Sequence, residues 1–76
     1  MTQLDRHLSA EGWLLHLFSS KAAASGSVVR RRSADMERYV GRARFEAELA
    51  RRGFHAIENA GQIVVFCNQE PVRVIR

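Results

Sequence analysis

The chain has one cysteine, one proline, one tryptophan and a single lysine among its 76 residues, and each scarcity excludes something. A lone thiol, Cys67, closes no intramolecular disulfide, so stapling is not the source of stability and a reducing compartment is expected. Without a second thiol, a C-x-x-C or an H-x₃-H pair, Cys67 with His7 and His16 makes no recognisable metal set, and neither a metal nor a cofactor is expected. One proline and five glycines are too few for a fibrous or low-complexity chain. The apolar runs, Trp13-Leu14-Leu15 and Ile63-Val64-Val65-Phe66-Cys67, fall far short of the ~20 residues that span a bilayer. Met1 to Arg6 mixes acid with base and offers no small-residue cleavage site, so the expected location is cytoplasmic, with no membrane partner.

Length excludes more. A chain this short is read as one domain over 1–76, and a closed (β/α)₈ barrel would need roughly 200–250 residues. A domain near this size buries only ~60% of its unfolded surface, which favours binding across a face over chemistry in a deep pocket. No phosphate-binding glycine loop and no nucleophile elbow is present, and no carboxylate pair stands out. The expectation is a protein that is not an enzyme.

What the chain does have is arginine. Eleven of its twelve strong bases are Arg, and the net charge is +4. The excess sits in the middle: from Lys21 to Arg52 nine bases face four acids, net +5. Arginine's planar fork meets phosphate or carboxylate bidentately, so this bias points to an anionic partner, the alternative being solvated helix faces. The candidate nucleic-acid-binding residues are Arg30, Arg31, Arg32, Arg42, Arg44, Arg51 and Arg52. The three consecutive bases after Val28-Val29 carry most weight, because in extended geometry they project to both sides of a strand. Arg42 and Arg44 open a helix against its dipole, although Arg42 could pair with Glu46 at i+4. Glu48 and Arg52 have the same spacing.

Periodicity supplies the elements. Leu14, Leu15, Phe18 and Ala22 trace one face of a helix over Glu11–Ala24, with Trp13 and Leu17 at its margins and Ser25-Gly26-Ser27 ending it. Val28-Val29 reads as a short strand. Ser33 is placed to cap a helix whose first turn holds Asp35 and Glu37. A single helix from 34 to 52 would set Met36, Val40, Ala43 and Ala47 against Phe45 and Leu49 on the opposite face, so Gly41 is expected to divide it into 34–40 and 42–52, both faces then reaching one core. Gly53 is the expected C-cap of the second, with Phe54 folding back on Leu49. Phe54–Glu58 and Gln62–Cys67 read as strands joined by Asn59-Ala60-Gly61 in a bulged hairpin, and Val72–Ile75 as a further edge strand protected by Arg73 and Arg76. The expected fold class is α+β, about three helices with a hairpin or a three-to-four-stranded antiparallel sheet.

That order of helix, short strand, paired helices and hairpin resembles the winged helix-turn-helix family. Phe45-Glu46-Ala47-Glu48-Leu49-Ala50-Arg51-Arg52-Gly53-Phe54 followed by His55 to Phe66 looks like the recognition-helix end and wing of such regulators, although Arg42–Arg52 is a turn shorter than they usually carry. The resemblance implies nucleic-acid binding. A helix ending in Arg52-Gly53-Phe54 before a hairpin also resembles the small RNA-cleaving toxins of the HicA type, with their double-stranded-RNA-binding-like fold; where these place an essential His after a Gly, Gly61 is followed here by Gln62. Finally, Glu37-Arg38-Tyr39-Val40-Gly41, Arg51 to Phe54, Glu58 to Gln62 and Phe66 to Arg73 together are similar to short bacterial chains that carry the name phosphoribosylanthranilate isomerase. That isomerase is a (β/α)₈ barrel about three times this length, and no catalytic residue is carried over. Two partners follow from the charge: DNA or RNA, or else an acidic protein or nucleoprotein complex, with a homodimer as a further expectation.

Overall fold

The computed structural model describes residues 9–76, so the readings made on Met1–Leu8, His7 included, lie outside the described residues. In chain order the elements are α1 (Ala10–Phe18), α2 (Lys21–Ala24), β1 (Val28–Arg32), α3 (Ser33–Tyr39), α4 (Arg42–Arg52), β2 (His55–Asn59) and β3 (Gln62–Phe66). The class is α+β: the described residues form four helices with a three-stranded antiparallel sheet in the order β1-β3-β2.

The long first helix expected from periodicity is two. Ser20 interrupts it: its hydroxyl accepts the Ala23 amide at 3.2 Å and opens α2, the competition with the backbone that makes serine a capping residue. With Ala22 assigned to a separate helix, the apolar face of α1 turns. Trp13, Leu14 and Leu17 are buried, while Leu15, expected at the centre of the face, is 61% exposed.

Gly41 divides the next pair as expected. Its φ of +91° is open to glycine alone at low cost, and from there α4 starts afresh with Phe45 and Leu49 turned to the core. Met36 joins them from α3, but Ala43 and Ala47, also expected inside, face solvent. Ser33 is not the cap of α3 but its first residue; Arg32 holds the cap position with no side-chain bond, because β1 runs on through all three arginines to the helix. The end of α4 follows the expected form. Gly53 is left-handed at φ +73°, its amide bonding Ala50 O and that of Phe54 bonding Leu49 O, which is the Schellman pattern. Phe54 then packs on Phe18, ring centroids 6.0 Å apart.

The hairpin carries no bulge. Asn59 pairs directly with Gln62, leaving the two-residue turn Ala60-Gly61 with φ of +51° and +76°, the signature of a type I′ turn. The expected fourth strand is absent: residues 71–76 are exposed and irregular. The chain after β3 is held by side chains instead of by pairing with either sheet edge. Asn68 Nδ2 donates to Gly26 O at 3.2 Å and Gln69 Nε2 to Arg52 O at 3.3 Å.

The core lies between the helices and the inner face of the sheet. Val29, Ile63 and Val65 meet Trp13, Leu14, Leu17, Met36, Phe45 and Leu49, with Trp13 and Phe45 edge to face at 6.0 Å. Cys67 is buried at the end of this cluster, where desolvation pushes its thiol pKa up, as for a small apolar residue rather than a reactive one.

Candidate nucleic-acid interface

The register of the sheet places the three arginines. Arg30 pairs with Val64, Arg31 with Ile63 and Arg32 with Gln62, so the basic run lies along a sheet edge and ends level with the hairpin turn. There the Ser33 amide donates to Gly61 O at 2.9 Å and locks the start of α3 against the turn. Arg30, Arg31, Arg32, Ala60, Gly61 and Gln62 together line an open cleft of about 460 Å³. Arg31 is half-buried, its Nη1 donating to Arg30 O at 2.7 Å; desolvation lowers its pKa, yet a guanidinium keeps its proton at any ordinary pH. Arg30 and Arg32 are exposed and form no ion pair with any described residue.

The other four candidates divide. Arg44, exposed in the first turn of α4, also forms no ion pair with a described residue. Arg42 behaves differently. It does not pair with Glu46 but spans three elements, bonding Glu37 of α3 and, at 3.1 Å through both Nη atoms, the carboxylate of Glu58 on β2. Both partners raise its pKa, and Arg42 in turn holds the Glu58 carboxyl below its ordinary range. The bridge sets the N-terminus of α4 beside the end of β2 that carries the turn. Arg51 and Arg52 share Glu48, at 2.9 and 3.3 Å, the second being the expected i, i+4 pair. Arg51 and then Arg52 draw the Glu48 carboxyl pKa down. Arg52 also lies over the Phe18 ring at 4.0 Å, which fastens the end of α4 to α1.

The seven arginines thus form two populations. Arg30, Arg31 and Arg32 line the cleft at the hairpin turn and Arg44 stands at the start of α4, none of the four in an ion pair with a described residue. Arg42, Arg51 and Arg52 neutralise the chain's own acids. Sequence spacing finds the Glu48–Arg52 pair but not the Glu58 pair, since sixteen residues separate Glu58 from Arg42 and only the hairpin's return brings them together.

The two aromatic residues best suited to anchor a protein partner are largely withdrawn from the surface. Trp13 is 9% exposed, and Tyr39 is half-buried with Arg38 over its ring at 5.1 Å. Among the described residues no three His, Cys, Asp or Glu side chains are grouped to hold a metal ion, and no helix is long and apolar enough to cross a membrane. No family model matches the chain, and no curated protein or solved structure is significantly similar to it.

Proposed function

We propose that the chain is a non-enzymatic nucleic-acid-binding module of winged-helix type that grips phosphates through Arg30, Arg31, Arg32 and Arg44. The observation that carries this reading is the run Arg30–Arg32 lining the open cleft at the hairpin turn, with Arg30, Arg32 and, at the start of α4, Arg44 forming no ion pair with a described residue, while Glu37 and Glu58 are bonded to Arg42. A cluster of cations left without internal partners attracts a polyanion, and Arg suits phosphate geometry. The element order supports the same reading, with α3 and α4 as the helix pair and β2–β3 as the wing. The runner-up, docking on an acidic protein, loses its aromatic anchors with Trp13 buried and Tyr39 covered.

Counterion release provides the test. The logarithm of affinity for duplex DNA or for RNA falls linearly with the logarithm of salt, and each phosphate contact contributes about 0.7–0.9 to the slope. Replacing Arg32 or Arg44 with Gln reduces the slope by about one unit per contact and weakens all sequences alike. Replacing Arg51, which serves Glu48, leaves the slope nearly unchanged. No binding to any nucleic acid at low salt would refute the proposal.

A further inference from the structure

The outer face of the sheet is built for something other than solvent. Side chains alternate along a strand, and the register groups those facing outward into three rows: Val28, Phe66 and His55; Arg30, Val64 and Ile57; Arg32, Gln62 and Asn59. The first two rows put four apolar side chains side by side. Val28 and Ile57 are 43% and 47% exposed, Val64 and Phe66 are half-buried, and none of the four packs on the core. A contiguous apolar patch on so small a domain marks an interaction surface.

Its charges select the occupant. The nine outward positions contain two arginines, a histidine and no acid. A second copy laid face to face would oppose Arg30 and Arg32 with no carboxylate to receive them. A nucleic-acid duplex presents mainly phosphates to a flat face and leaves the apolar centre unused. A single strand satisfies both halves: its unstacked bases lie on Phe66, His55 and the aliphatic side chains, while its backbone follows the Arg30–Arg32 edge toward the cleft at the turn.

We infer that the outer sheet face is a single-strand platform, with bases stacking on Phe66 and His55 over Val64 and Ile57 and phosphates held by Arg30 and Arg32. The inference rests on the nucleic-acid reading above and names the form of the ligand.

The test uses the full chain and labelled oligonucleotides of about twelve nucleotides, single-stranded and duplex, compared by fluorescence anisotropy. The single strand is expected to bind more tightly. Phe66→Ala and Ile57→Ser are each expected to weaken it about tenfold without altering duplex affinity. Ile57 is half in solvent, so Ile57→Ser keeps the fold, and its melting curve verifies this. Amide shifts on titrating the single strand into labelled wild-type protein give a second readout, expected along His55–Asn59 and Gln62–Phe66. Duplex binding equal to or tighter than single-strand binding, or indifference of the single strand to both variants, overturns the platform and leaves the phosphate reading standing. Binding of neither form overturns both. A dimer in sedimentation that Ile57→Asp dissociates would assign the face to a second copy and likewise overturn the inference.

Discussion

Arg42 shows how far a residue's role departs from its local spacing. Its fork binds one acid on the preceding helix and another on the hairpin, so it acts as a clasp for α3, α4 and β2. The clasp makes stability depend on pH in a definite sense. The folded-state pKa of Glu58 is depressed, chiefly by Arg42, so its contribution is complete above the unfolded value of about 4.3 and is lost as pH falls through the folded value. Glu58→Gln is therefore expected to lower the Tm at neutral pH, and the gap from wild type is expected to close in melts taken progressively below pH ~4. A gap that persists at low pH would show that Glu58 acts by packing rather than by charge. Ala60 offers the converse case. It occupies a left-handed position at φ +51°, which costs an ordinary L-residue roughly 1 kcal/mol, whereas Asn-Gly is a preferred type I′ pair. Ala60→Asn is expected to raise stability by about 0.5–1 kcal/mol in chemical denaturation with no change of register.

Among the elements, the break at Gly41 was readable because two apolar faces on one continuous helix contradict each other, and a glycine stood between them. Its basis is now backbone conformation: no atom lies within 4 Å of where a Cβ would sit, but φ is +91°. Gly41→Ala is accordingly expected to destabilise by about 1–2 kcal/mol, although alanine is the better helix former, and a higher Tm would mean that the two helices fuse. The Gly53 cap was equally legible. The break at Ser19-Ser20 was not, because the apolar spacing of Leu14, Phe18 and Ala22 runs straight through it, and only the Ser20 hydroxyl on the Ala23 amide reveals the restart. Val72–Ile75 misled for a different reason. Alternation and β-branching describe a strand's side chains but not whether it pairs: both edges of the sheet, β1 and β2, remain open, and residues 71–76 run past them in irregular conformation.

For the molecule as a whole, composition pointed to a basic surface without saying which bases form it. Which of the candidate arginines are ion-paired was half legible: Arg30 to Arg32 and Arg44 make no ion pair with a described residue, Arg52 pairs with Glu48 at the spacing read from the sequence, and Arg42 pairs with Glu58 only through tertiary contact. The sheet order has a consequence for how the chain is made. β3, the central strand, is the last element in the sequence, and its partner β1 precedes it by some thirty residues. During synthesis β1 emerges with no strand to pair with, and its inner-face Val29 has no Ile63 or Val65 beside it. The local β2–β3 hairpin can close in microseconds, but β1 must then find it across a long loop, the slower kind of contact. Until then the arginine run protects β1's edge against a neighbouring nascent chain, so the bases proposed above as phosphate ligands would also keep the unfinished protein apart from its siblings.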